Sequence, residues 1–227
     1  MRLRLAIAAV LLMGMAAPSF AQEWIDYTSQ EDHFTANFPG QPMVTTTTYK
    51  SEYGADLPAR VYSATVGPSR YILTAVDYNQ ARRLLTEKAK QCRAGDVACN
   101  GMIGINGEGN WKNDVRGAIV YASWKFIQRD VDVTHYGWNY ASTTEGHQMQ
   151  LTNRADKSRT FVSIFMQENR LYILEGTVPA KAPPPQLFQE SINFLNGPHV
   201  GLYYNGARVD PYEKPVPPAS APGTAAR

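Results

Sequence analysis

The stretch HFTANFPGQP, residues 33–42, alternates aromatic or small side chains with polar ones and then runs into Pro39, Gly40 and Pro42. Successive side chains on a strand point to opposite faces, so a period of two marks a half-buried strand. Phe34, Ala36 and Phe38 then share one face. Pro39-Gly40 is read as a turn, because proline presets φ and glycine accepts a positive φ. A ligand-binding loop would use the same residues differently. The structural reading is preferred: two aromatic anchors entering a core, and a turn that starts a sheet.

Working outward, many segments share this alternation. They are EWIDYT, MVTTTTYKSEY, ARVYSATV, RYILTAVDY, VDVTHYGWNYAS, HQMQLTN, RTFVSIFMQ and LYILEGTV. ARVYSATV and RYILTAVDY are expected to form a hairpin around Gly67-Pro68-Ser69. Three segments read as helix. NQARRLLTEKAKQC places Ala81, Leu84, Leu85, Ala89 and Cys92 on one stripe. NDVRGAIVYASWKFIQRD spaces Val115, Ala118, Ile119, Ala122 and Phe126 helically, with Asn113 or Asp114 expected as N-cap. PPQLFQESINFLN begins after prolines that suit a first helical turn. Strands grouped in runs with helices segregated between them indicate α+β. The expected architecture is a single antiparallel β-sheet with helices packed on its faces.

FTANFPGQP near the start and LFQESINFL near residue 195 carry a resemblance. The chain resembles the PsbP-like family, and especially its secreted bacterial members. These begin with a Phe-x-x-x-Phe-Pro-Gly-x-Pro hairpin and end with a Ser-x-x-Phe helix. The resemblance spans about residues 23–196, while the stretch from Lys88 to Trp111 departs from the family pattern. It implies an α/β/α sandwich and a non-enzymatic role. The family includes an extrinsic photosystem subunit that helps retain inorganic ions, and relatives that bind protein partners.

The first residues combine Arg2 and Arg4, an apolar run from Leu5 to Ala17, and Ser19-Phe20-Ala21. That is the pattern of a secretory signal with cleavage between Ala21 and Gln22. Thirteen apolar residues are fewer than the roughly 20 a bilayer-spanning helix needs. Residues 1–21 are therefore expected to be a signal peptide, 22–196 a single α+β domain, and 197–227 a Pro-rich, largely disordered tail. The expected location is periplasmic or secreted, with no stable membrane anchor. The whole chain has 22 Lys+Arg against 20 Asp+Glu, and loss of the two signal arginines leaves 20 against 20. A neutral chain offers no electrostatic reason to bind nucleic acid.

Cys92 and Cys99 stand in CRAGDVAC. Two lone cysteines this close in an exported protein are expected to pair. On one continuous helix they would lie about 10.5 Å apart, beyond the roughly 7 Å a disulfide allows between Cα atoms. The helix holding Cys92 must then end before Cys99, with Gly95 the natural terminator. The bridge is read as a structural staple worth about 2 kcal/mol.

No Gly-x-Ser-x-Gly elbow and no phosphate-binding loop is present. The glycines of NGMIGINGEGN fail as a calcium loop, since Ala98 and Gly107 occupy ligand places. His33, His135, His147 and His199 form no ligand pair, although His135 and His147 could approach if their strands pair. No catalytic residue, metal site or cofactor is expected. In HYGWNY, Tyr136, Trp138 and Tyr140 share one strand face. Packed under a helix they would be core; exposed, they would suit a carbohydrate, a lipid chain or a partner peptide. They are the candidate partner-binding residues. Arg82, Arg83, Lys88, Lys90 and Arg93 are read as a solvated helix face. The expected function is a secreted or periplasmic protein that binds a protein partner or assists envelope assembly. The alternative is a hydrolase of envelope material with a site near the Gly-rich loop at 100–111.

Overall fold

Nine of the strands that alternation marks out are present, and they divide between two sheets. The computed structural model describes residues 23–92 and 110–195, together with the strand residues 203–204 and 207–208. The elements in chain order begin with β1 (Ile25–Ser29), β2 (Phe34–Phe38), β3 (Met43–Lys50), β4 (Asp56–Val66) and β5 (Ser69–Asp77). A 3-10 turn (Tyr78–Gln80), α1 (Ala81–Lys90) and α2 (Trp111–Ile127) follow. Next come β6 (Val131–Ala141), β7 (Thr144–Asn153), β8 (Arg159–Gln167) and β9 (Arg170–Val178). The one-turn helix α3 (Gln186–Gln189) leads into β10 (Asn193–Phe194), with a last ladder of β11 (Tyr203–Tyr204) and β12 (Ala207–Arg208).

The main sheet has seven antiparallel strands in the order β3-β4-β5-β9-β8-β7-β6. It joins two meanders at β5 and β9, where Leu73 lies opposite Leu174. β8 and β9 are central, and RTFVSIFMQ and RLYILEGTV are buried almost continuously because both faces are covered. On one face, Val162, Ile164, Met166, Leu171 and Ile173 pack with Ala81 and Leu85 of α1 and Val115, Ala118, Ile119, Ala122 and Phe126 of α2. On the other, Phe165, Tyr172 and Leu174 pack with Phe34, Ala36, Phe38, Phe188 and Ile192.

That second face corrects the expected single sheet with helices on its faces. The fold is mostly β, and beside the seven-stranded sheet β1, β2 and β10 form a separate three-stranded sheet that covers the face away from α1 and α2. The cause lies in the opening stretch. Gly40, at φ 90°, turns the chain after Phe38, and β3 starts afresh in the main sheet. Among the described residues β2 pairs only with β1 and β10, and it lays Phe34 and Phe38 onto the aromatic rings beneath. Phe34 meets Tyr62 at 5.0 Å and Phe38 meets Phe188 at 5.2 Å between ring centroids. Full burial of each phenylalanine stabilises by about 2 to 3 kcal/mol.

The helix expected over PPQLFQESINFLN is also corrected. Only Gln186–Gln189 is helical. Ser191 ends it: its hydroxyl donates to the Phe188 carbonyl at 2.8 Å and accepts the Asn37 N–H at 2.8 Å. The side chain thus stitches the segment to β2, and Asn193–Phe194 becomes a third strand of the small sheet. α2 begins at Trp111, so Asn113 and Asp114 are inside the helix and Asn110 precedes it. Asp114 turns inward, where its carboxylate accepts the Tyr53 N–H at 3.3 Å.

Candidate functional site

β6 is one edge of the main sheet, and its far side has no strand partner among the described residues. Val131 and Val133 lie opposite Asn153 and Leu151. The register then shifts between Val133 and His135, leaving Thr134 as a bulge. The extra residue changes the parity of everything after it. Tyr136 now stands opposite Met149 of the helix-side core, and Trp138 opposite His147, so the three aromatics share the face on which Val133 lies. α2 does not reach over them. Tyr136, Trp138 and Tyr140 are 47%, 67% and 59% exposed, and Val133 43%. The aromatic row is therefore a ledge beside the helix, not core beneath it.

The backbone of the same residues faces outward. β6 and β7 are joined by the two-residue turn Ser142-Thr143, with Ser142 at φ 55° and Ala141 opposite Thr144. A two-residue hairpin closes on a hydrogen-bonded pair, and such pairs alternate along the ladder. Ala141, Asn139 and Gly137 bond to β7, while Tyr140, Trp138 and Tyr136 present N–H and C=O groups to the open edge. The Tyr140 N–H confirms the parity, since it donates to the Asn139 side-chain oxygen at 2.8 Å.

His147 holds the ledge in place. Its Nδ1 lies 3.0 Å from the Ser123 hydroxyl of α2 and 2.9 Å from the Tyr136 hydroxyl. Its ring meets Tyr136 edge-on at 5.3 Å and Trp138 at 5.1 Å. Ser123 donates its own proton to the Ile119 carbonyl at 2.9 Å. A proton on Nδ1, donated to the two oxygens, then satisfies the group and leaves the Tyr136 O–H free to donate outward. Burial pushes the His147 pKa down, which favours the neutral ring. Val120 and Ile127, one turn either side of Ser123, are exposed apolar neighbours on α2. Tyr140 reaches Glu145 at 3.3 Å, and that carboxylate raises the phenol's pKa.

Two further polar clusters stand apart. Beyond the small sheet, a cavity of about 320 Å³ is lined by Glu31, Asp32, Arg60, Asp77, Arg170 and neighbours. Asp32 is 3% exposed, and its carboxylate takes Arg60 Nε and Nη2 at 2.7 Å each and the Tyr62 hydroxyl at 2.6 Å. Arg60 also contacts Glu31. Tyr172 donates to the Asp32 carbonyl at 2.7 Å. This network braces the β1–β2 turn against β4 and β9; Asp32 pushes the Arg60 pKa up, and burial, with the hydrogen bond to Asp32 second, pushes the Tyr62 pKa up. Under the start of α2, Asp114 is fully buried with one oxygen unpartnered, close to the unpartnered hydroxyls of Tyr49 and Tyr78. Burial raises the Asp114 pKa.

His135 and His147 are not brought together: after the bulge they occupy opposite faces, and His135 lies 3.3 Å from Gln148 Nε2. His33 meets Arg170 at 3.1 Å. Among the described residues no group of three metal-ligating side chains forms, and no helix is long and apolar enough to cross a membrane. Cys92 follows α1, but Cys99 lies outside the described residues, as do residues 1–21, His199 and the Gly-rich loop from 100 to 109. Sequence reading missed Ser123 and the Asp32–Arg60 pair, and it weighed His147 as a metal ligand and Asp114 as an N-cap, not as the buried groups they are. A serine and an aspartate on the apolar stripe of α2 were the signals available for two of them.

No family model matches the chain, and no curated protein matches it. Among solved structures, it is similar to the solution structure of cyanobacterial PsbP (CyanoP) from Synechocystis sp. PCC 6803. The two are 7% identical, with a TM-score of 0.37 over 74% of this chain and 87% of that one. The likeness is a distant one of fold and does not assign the chain to that family.

Proposed function

We propose that this chain is an exported, non-enzymatic accessory protein that captures an extended segment of a protein partner along the open edge of β6. One observation carries the reading: Tyr136, Trp138 and Tyr140 are all exposed, the tryptophan most of all, while their backbone groups face the open edge of the sheet. An added strand would satisfy those groups, and its side chains would lie against the ledge. Main-chain bonds supply affinity in this mode, and the aromatic face supplies selectivity. The amino-terminal pattern supports export. Asp132 and Asp130 at the near end are held by Arg154 at 2.8 and 3.3 Å, the stretch from His135 to Ala141 carries no Asp, Glu, Lys or Arg, and the carboxylate beside it, Glu145 of β7, takes the Tyr140 hydroxyl at 3.3 Å.

The test is selection of linear peptides from a random display library on the protein and on its Trp138→Ala variant. Peptides rich in β-branched and aromatic residues should be enriched on the parent and lost on the variant. Equal enrichment on both proteins would sink the reading.

A further inference from the structure

The aromatic row is symmetric about its centre: Tyr136, Trp138 and Tyr140 read the same in both directions. We propose that, when no partner strand is bound, two copies of this chain mask each other by pairing their β6 edges antiparallel about a two-fold axis through Trp138. The inference rests on the reading of β6 as the binding edge and names what covers that edge at rest.

Parity permits this pairing. With the axis at Trp138, Tyr136 meets Tyr140 of the second copy, Trp138 meets its counterpart, and Tyr140 meets Tyr136. All three residues present their backbone groups outward, so each meeting is a hydrogen-bonded pair. A two-fold axis perpendicular to the sheet keeps like faces together, which is how isologous interfaces form. Six aromatic rings then make one platform, with directly opposite aromatic pairs of the kind that stabilise sheets. On the other face His135 meets Ala141 and Gly137 meets Asn139, which combines small residues with polar ones. The Asn139 side chain has to release the Tyr140 N–H it now accepts.

Charge and shape agree. No charged side chain lies between Val133 and Ala141, with His135 on the opposite face. Asp132 falls beyond the paired stretch, and the bulge at Thr134 ends the regular edge there. α2 packs over β7, β8 and β9. The two copies of α2 would therefore stand back from the junction and wall a trough, with the six rings as its floor. The opposite edge of the sheet has no such symmetry: MVTTTTYK places Met43 at one end and Lys50 at the other.

Covering the exposed parts of three aromatics removes on the order of 300 to 400 Å² per copy. Doubled over the two copies, that is still below the roughly 1,200 Å² total of stable interfaces. The pairing is weak and reversible, as a mask that a partner strand displaces must be.

Sedimentation velocity on the protein from micromolar to near-millimolar concentration tests this. The expected result is a concentration-dependent dimer that Trp138→Lys abolishes and Thr46→Lys, on the opposite edge, does not. A second readout guards against an unfolded variant: amide exchange in the parent should slow with concentration at Tyr136 and Trp138. A monomer throughout, or a dimer indifferent to Trp138→Lys, overturns the inference. Library-selected peptides separate it from the broader reading. If the protein stays monomeric yet those peptides protect the same amides, self-pairing fails and partner capture stands. If β6 pairs with itself and no peptide competes, self-pairing stands and partner capture fails.

Discussion

The two edges of the main sheet, β3 and β6, face the same hazard and meet it differently. An edge strand carries unpaired N–H and C=O groups that invite another chain. β3 is blunted by composition: Thr45 to Thr48 run in series, and Lys50 pairs with Asp56 at 3.7 Å at its end. Polar side chains on both faces give an incoming strand little apolar surface to bury. β6 places its main blunting devices at one end, the Thr134 bulge and the Asp132–Arg154 pair at 2.8 Å, and at the other end only the Asn139 side chain caps the Tyr140 N–H. Beyond them its edge is regular, uncharged and aromatic. Within one sheet, then, side-chain chemistry separates a protected edge from a receptive one.

The comparison breaks most severely if β6 loses its seat. Gly146 of β7 lies opposite Asn139 and Phe165, and a Cβ there would sit 2.2 Å from the Ile164 carbonyl oxygen. Gly146→Ala should lower unfolding stability by about 3 kcal/mol, read by urea denaturation. A loss under about 0.5 kcal/mol would refute the close approach. Trp138→Ala sharpens the contrast. Trp138 is 67% exposed, so stability should barely change while affinity for a selected peptide falls roughly 30-fold. Thr46→Ala on β3 should leave that affinity unchanged, and an equal loss at the two edges would erase the distinction.

The smallest effect concerns the support under the ledge. Burial holds the His147 pKa below its ordinary value of 6.5. The unfolded chain therefore takes up the proton first, and the stability from this group is whole above that value. It is lost as the pH falls through the depressed folded value. Between neutral and mildly acidic pH, Tm of the parent should fall more than that of His147→Gln. Parallel profiles would mean that His147 is not held neutral by its surroundings.

Most strands were legible because alternation records which faces are buried. The assignment of β2 to a second sheet was not, since Phe34 and Phe38 announce a buried face without saying what lies against it. The same limit explains α3: LFQESINFL has helical spacing, but Ser191 bonds to β2, a contact 154 residues away in sequence. The aromatic ledge was half legible. HYGWNY showed that three rings share a face, whereas the bulge that sets which face depends on pairing with β7. Ser123 and His147 looked unremarkable until α2 and β7 were placed side by side.

The most direct test of β6 as the receptive edge is residue-resolved amide hydrogen exchange, at concentrations where the protein is monomeric, with and without a library-selected peptide. The N–H groups of Tyr136 and Trp138 should exchange quickly in the free protein and slowly in the complex, while the amides of β3 are unchanged. Protection on β3, or fast exchange at Tyr136 and Trp138 in the complex, would contradict the account.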